Sequence, residues 1–142
     1  MDIEAGRALD ALVAERVMGW RRCQPVQRGD GWWYCPGCRS YYGRAAWPDE
    51  QKIRAYWCGR NTTEAPHYST DIAAAFTVAA KLGLALVPQS DGDGGFTWLA
   101  CDLVSVSYAG TITLDPKEGT AWSAPTAPLA VCRAALASVG EQ

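Results

Sequence analysis

The sequence is poor in the residues that most catalytic schemes require. It holds one histidine, His67, in 142 residues, and the acid or base of a hydrolytic site is most often a histidine. Ser69 and Asp71 stand two and four residues after it. That spacing suits a helix start and does not by itself make a triad. A phosphate-cradling loop is also missing. The stretch SDGDGG at 90–95 follows a strand-like run but opens no helix, and its Asp91 and Asp93 would repel phosphate. Its oxygen pattern is incomplete for calcium, so an exposed hairpin is expected there. No run of eighteen apolar residues occurs, which excludes a helix that spans a bilayer. The start, MDIEAGRALDALVAERV, is acidic and amphipathic, unlike the basic and then apolar start of a secretory signal. Internal repeats and low-complexity tracts are absent. These gaps together lead us to expect a cytoplasmic protein that is not an enzyme and has no membrane partner.

What is present is a globular composition, 49% hydrophobic and 20% charged, enough for one core of ordinary size. The net charge of −2 hides an asymmetry. Residues 16–60 carry nine basic against three acidic side chains, or +6, which leaves −8 for the remainder. Such a chain can offer a basic face to an anion while staying acidic as a whole, and its pI near 5.3 makes nucleic acid an unlikely partner of the whole chain. The same stretch is crowded with aromatics, from Trp20 through Trp32, Trp33, Tyr34, Tyr41, Tyr42, Trp47 and Tyr56 to Trp57 and Tyr68. Aromatic faces stack on bases and arginine forks bind phosphate. Core packing of the rings and solvation of the arginines would account for the same composition. The candidate ligand-binding residues are Trp20, Arg21, Arg22, Trp32, Trp33 and Trp57, with His67, Tyr68, Ser69 and Thr70 in the turn before a helix.

Periodicity and end signals predict three helices, over about 4–18, 70–82 and 126–139. Leu9, Leu12, Val13 and Val17 recur along the first, before Gly19 stops it. The second has Ser69 or Thr70 as cap, Asp71 at its positive end, Gly83 after its last turn, and an apolar stripe of Ile72, Phe76 and Ala79. The third follows Thr126, tolerates Pro128 in its first turn, and buries Leu129, Cys132, Leu136 and Val139. Strands are expected at LALVP (84–88), in the run from Gly95 to Gly110 and at TITL, with Val104, Val106 and Tyr108 on one face. GWWYC and RSYY should pair across a Pro36-Gly37 turn, and the rest of 20–67 reads as loop. The expected fold is a single α+β domain over 1–142, about three helices on a small, mostly antiparallel sheet. Residues 20–67 form its Cys/Trp-rich hairpin and loop region.

Six cysteines in a reducing compartment suggest buried thiols or a metal site rather than disulfides. Cys35-Pro36-Gly37-Cys38 has the spacing that lets a tight turn aim two thiolates at one zinc ion. A zinc ribbon needs a second such turn, and Ala55-Tyr56-Trp57-Cys58-Gly59 stands at the right distance with alanine in place of its first cysteine. Cys35, Cys38 and Cys58 are therefore the candidate ligands, with Cys23 or His67 as the fourth; the alternative is a degenerate ribbon without metal. Cys101 and Cys132 fit buried thiols packing as small hydrophobes.

Three segments, AGRALDALVAERVMGW (5–20), PHYSTDIAAAF (66–76) and TAPLAVCRAALASVG (126–140), resemble the phage ABA sandwich family in that family's order. The resemblance implies a phage-encoded protein with an α/β sandwich, acting in the cytoplasm of an infected bacterial host. It implies no catalytic motif, and the cysteine-rich stretch 35–58 lies outside the pattern that carries it. By analogy with small phage proteins that act against host defence, one expected function is non-catalytic. A pocket of aromatics and arginines would sequester a small nucleotide-like immune signal of the cyclic nucleotide or cyclic ADP-ribose type. Such a sponge would bind its ligand between copies of a homo-oligomer. The alternative is a zinc-ribbon-like adaptor for nucleic acid or protein, and a small hydrolase working through His67 is the third reading.

Overall fold

The computed structural model describes residues 4–44, 50–90, 92–108, 111–116 and 121–140. Trp47 and Asp91 lie outside these. The chain divides into two compact units, one of Met1–Met18 with Pro66–Gln142 and one of Gly19–Ala65. The Cys/Trp-rich region read from the sequence coincides almost residue for residue with the second.

The first unit is built around α4 (Ala127–Ser138). This helix begins where Thr126 accepts a hydrogen bond from the Leu129 N–H at 3.4 Å, and Pro128 sits in a first turn that needs no amide of its own. Nine of its residues are buried, among them Leu129, Val131, Cys132 and Leu136. A helix apolar nearly all round has to be central. It packs against α1 (Arg7–Arg16), α3 (Ile72–Leu82) and two strands of a sheet. The sheet pairs β4 (Ala85–Ser90) with β5 (Phe96–Cys101), and β5 with β8 (Trp122–Ala124), all antiparallel. A further antiparallel pair joins β6 (Leu103–Tyr108) to β7 (Thr111–Pro116), from Leu103 opposite Pro116 to Tyr108 opposite Thr111. Which face Val104, Val106 and Tyr108 present falls outside the described side chains.

Two expectations for α3 need correction. Its cap is Asp71, whose carboxylate accepts from the Ala73 N–H at 2.9 Å, while Ser69 and Thr70 belong to the preceding turn. Its buried face is Ala75, Val78 and Ala79, whereas Ile72 and Phe76 are 42% and 55% exposed. Small residues let α3 lie close to α4, so the large apolar side chains are left on the outer surface. Gly83 ends the helix at φ 68, where a side chain would be strained. Val139, expected on the buried face of α4, is exposed beyond its last turn.

A polar latch joins α1 to the turn before α3. Asp10 and Ser69 are both fully buried. The Ser69 hydroxyl and N–H donate to one Asp10 carboxylate oxygen at 2.7 and 2.8 Å, and Arg7 donates to the other at 3.2 Å. The Ser69 oxygen in turn accepts from the Gly6 N–H at 2.9 Å. A buried charge is tolerable only when it is satisfied in this way.

The second unit contains β1 (Val26–Gln27), β2 (Trp32–Tyr34) and β3 (Tyr41–Arg44) in one antiparallel sheet, and the short helix α2 (Glu50–Arg54). GWWYC and RSYY pair as expected; β1, β8 and α2 have no counterpart in the sequence reading. Among the described residues, no helix is long and apolar enough to cross a membrane.

Candidate metal centre

The second unit has a small core in which Cys23, Cys35 and Ile53 are buried, with Trp33, Tyr42, Tyr56, Cys38 and Cys58 packed against them. Four of those residues are cysteines, brought together by three local structures. Cys35 and Cys38 flank the turn that leaves β2. The Cys35 N–H donates to the Ser40 carbonyl at 3.0 Å, and the Arg39 N–H returns to the Cys35 carbonyl at 2.7 Å. Arg39 adopts φ 62, uncommon for a non-glycine residue, as the chain reverses. Gly37 is required for space: a Cβ there would stand 3.1 Å from Cys58 Sγ and 3.6 Å from Cys35 Sγ.

Cys58 sits on a second, looser turn, in which the Trp57 N–H donates to the Thr62 carbonyl at 2.8 Å and the Arg60 N–H to the Trp57 carbonyl at 3.0 Å. Cys23 comes from a segment that pairs with this one. The Cys23 N–H donates to the Tyr56 carbonyl at 2.9 Å, and the Cys58 N–H to the Arg21 carbonyl at 2.6 Å. That pairing replaces the cysteine missing at Ala55. Of the two candidates for the fourth position, the structure brings in Cys23. His67 belongs to the other unit, where its Nδ1 lies 3.0 Å from the Arg7 guanidinium.

The four Sγ atoms lie within 4.8 Å of one another. Cys23 and Cys38 are 3.8 Å apart, and Cys35 and Cys58 3.7 Å. A zinc ion bound tetrahedrally at about 2.3 Å from each sulfur requires edges of about 3.8 Å. The cluster could therefore hold a metal ion.

Its electrostatics fit the same use. Burial pushes the Cys23 thiol up to about 11, and burial with the neighbouring Cys35 and Cys38 thiols pushes Cys58 up to about 12. Burial acts in the same direction on the other two but is outweighed. The Ser40 hydroxyl and N–H and the Gly59 N–H bring Cys38 down to about 6. The N–H groups of Cys38, Gln24 and Gly37 hold Cys35 below the ordinary thiol range. Four adjacent thiols cannot all ionise without a cation, and their environments push Cys35 and Cys38 down and Cys23 and Cys58 up. A dication would relieve that conflict. Tyr42 supports the cluster from outside, its hydroxyl 3.1 Å from Cys23 Sγ; burial and that contact raise its own pKa. Cys101 and Cys132 belong to the first unit, where they are buried and burial raises their thiols.

The proposed ligand-binding residues are divided between the two units. Trp57 is 1% exposed, with the Arg22 guanidinium carbon 3.6 Å from its ring centre and Trp20 edge-on at 5.7 Å. Its indole N–H has no hydrogen-bond partner among the described residues. Arg22 is further tied to the Ala55 carbonyl at 2.6 Å, and Arg60 lies 4.3 Å over Trp20. Arg21 is exposed, Trp33 packs into the thiol core and Trp32 is exposed. His67, Tyr68, Ser69 and Thr70 lie in the first unit; Tyr68 and Ser69 are buried, and His67 and Thr70 exposed. The first unit also has an apolar pocket of about 350 Å³, lined by Leu82, Leu84, Trp122, Ala134 and Val139 with Asp102. Sequence periodicity does not reveal it, because its walls come from four separate segments.

The model of the phage ABA sandwich domain matches residues 11–136. No curated protein matches the chain. A phage protein from Bacillus cereus ATCC 14579, known from a 2.0 Å crystal structure, is 20% identical, with 97% of this chain and 95% of that one covered at a TM-score of 0.43. That likeness bears on neither ligand nor site. The matched span begins inside α1, ends in the last turns of α4 and takes in the whole cysteine-bearing unit between them, so the chain belongs to the phage ABA sandwich domain family.

Proposed function

We propose that Cys23, Cys35, Cys38 and Cys58 hold one structural Zn²⁺, and that the protein acts by binding, without turnover. The observation that carries the metal is the sulfur spacing, 3.7 and 3.8 Å across the two closest pairs. An all-thiolate tetrahedron selects zinc or iron among common metals. Four protein ligands close the coordination shell and leave no open position for substrate, as in structural zinc sites. Elsewhere, Ser69 is a poor nucleophile because its hydroxyl is committed to Asp10 and Gly6 in a buried network. The unit then serves as a zinc-ribbon-like interaction module. Eight basic against four acidic side chains in 19–65 favour an anionic partner. Elemental analysis of the purified protein tests the metal: one zinc per chain is expected, lost from Cys35→Ser. Iron in its place, or no metal at all, would refute it.

A second reading, capture of a small nucleotide-like immune signal as an anti-defence sponge, has one observation in its favour. The exposed Arg60 lies 4.3 Å over the half-buried Trp20, and exposed Arg21 and Arg22 follow Trp20 in the chain, a set able to pair phosphate beside an aromatic face. Calorimetry against cyclic and linear nucleotides tests it. Heat that disappears in Arg21→Ala would support it, and silence at high protein concentration would remove it.

A further inference from the structure

We infer that the outer face of the sheet formed by β1, β2 and β3 is a stacking surface for single-stranded nucleic acid. The inference rests on the reading of Gly19–Ala65 as a binding module and adds its partner. Alternation sorts the side chains of β2 and β3 onto two faces. Trp33 and Tyr42 turn inward to the thiol core. Trp32 and Tyr41 turn outward, 39% and 54% exposed, and Tyr34 lies opposite Tyr41 in the register. Tyr34 and Tyr41 are stacked, with ring centres 5.5 Å apart and planes 23° from parallel. Trp32 meets Tyr41 edge-on at 6.2 Å. Val26, paired with Tyr34 on the neighbouring strand, is also exposed. Three aromatic rings and an aliphatic side chain thus lie together on one face, whereas Trp33, Tyr42, Tyr56 and Trp57 pack inward.

A cation borders this face. The Arg28 guanidinium carbon is 5.6 Å from the Tyr41 ring centre, and its NH1 donates to the Tyr41 hydroxyl at 2.7 Å. Asp30 holds the same guanidinium at 3.3 Å. The arrangement is a basic side chain lying along a row of aromatic rings, inside a unit with a twofold excess of basic over acidic residues. Base faces stack on aromatic rings whatever their sequence, and a neighbouring guanidinium pairs with the phosphate between them. Several adjacent rings suit successive bases better than a single nucleotide. A duplex keeps its base faces stacked inside and cannot use them.

The site differs from the residues that composition alone would nominate. Trp33 and Trp57 are inward-facing, whereas Tyr41 and Arg28 are exposed and the half-buried Tyr34 stacks on Tyr41. Asp30 makes a distinctive prediction. Its carboxylate neutralises Arg28 and repels phosphate, so Asp30→Asn should tighten binding while its amide oxygen can still accept the Trp32 N–H, now held at 3.2 Å.

The test uses the full chain and fluorescently labelled oligothymidylate and oligouridylate of about eight nucleotides, a length within the range of small single-strand sites. The expected result is binding of the single strand over the corresponding duplex, weakening as salt rises. Trp32→Ala and Tyr41→Ala should each weaken it by roughly five- to a hundredfold, and Asp30→Asn should strengthen it. Zinc content is measured on every variant, and a gain of affinity in Asp30→Asn cannot come from misfolding. No binding at protein concentrations of about 100 μM, equal affinity for duplex or for a mononucleotide, or indifference to Trp32→Ala and Tyr41→Ala would overturn the inference. Oligonucleotide binding by a protein that purifies without metal would retire the zinc and leave this surface. One zinc per chain without oligonucleotide binding would do the reverse.

Discussion

The two units of the chain solve the problem of a small core differently. Met1–Met18 with Pro66–Gln142 surrounds one almost wholly buried helix with two more helices and a sheet, and its interior is aliphatic, with one satisfied carboxylate. Gly19–Ala65 has three short strands, a helix of five residues and few fully buried aliphatics among its described residues. A unit of 47 residues buries too little apolar surface to offset its chain entropy comfortably, and natural scaffolds of that size commonly add a metal or disulfides. The second unit gathers four thiols in its core, whereas the first buries chiefly leucine, valine and alanine beside Cys101 and Cys132. On the proposed zinc reading, one region is held mainly by apolar area, and the other by a cation that its four cysteines could bind.

The largest expected effect separates the two at once. Chelation, or Cys58→Ser, should unfold Gly19–Ala65 while leaving α4 protected, because structural zinc supplies about 10–16 kcal/mol of apparent binding free energy. Hydrogen exchange should show the amides of Cys23, Cys35 and Cys58 becoming unprotected and those of Val131 and Cys132 unchanged. Equal loss in both units would break the comparison. The converse perturbation is Leu9→Ala, which empties a fully buried position. It should cost about 2–5 kcal/mol of thermal or denaturant stability, with zinc retained in full.

Acidity sharpens the contrast. In the metal-free cluster Cys23 at about 11 and Cys58 at about 12 keep their protons well above neutrality, while Cys38 is brought down to about 6 and Cys35 is lowered by its N–H contacts. Zinc must displace the two retained protons, and each adds one decade per pH unit. Affinity should therefore rise by at least about two decades per unit between roughly pH 7 and 9. Competition with a chromogenic chelator measures the slope, and a flat profile would contradict thiolate ligation by these residues. The smallest effect lies in the first unit: Asp71→Ala removes the cap of α3 and should cost about 1 kcal/mol, read as a small fall in melting temperature without a change in metal affinity.

Much of this contrast was legible in the sequence. Thr126 and Gly83 mark helix ends through local chemistry, and the Cys35–Cys38 turn announces itself by spacing. What escaped was non-local. Cys23 was one of two candidates for the fourth ligand, and spacing could not choose between it and His67, because Cys23 enters the cluster through the pairing of its segment with Tyr56 and Cys58. Phe76 was misassigned because a period of 3.6 identifies an apolar stripe but not which stripe a neighbouring alanine-rich helix will cover. β8, three residues long, is a strand only by virtue of β5 beside it. The outward row of Trp32, Tyr34 and Tyr41 needed the register shift between Trp33 and Tyr34, which periodicity cannot foresee.

The most direct test of the zinc-held unit is native mass spectrometry of the purified full chain, followed by the same measurement after acid denaturation. The account predicts one zinc per chain in the native spectrum, lost on denaturation to leave a chain with all six cysteines reduced, and no zinc in Cys23→Ser. A native chain without metal, or one whose mass shows Cys23, Cys35, Cys38 and Cys58 joined as disulfides, would contradict it.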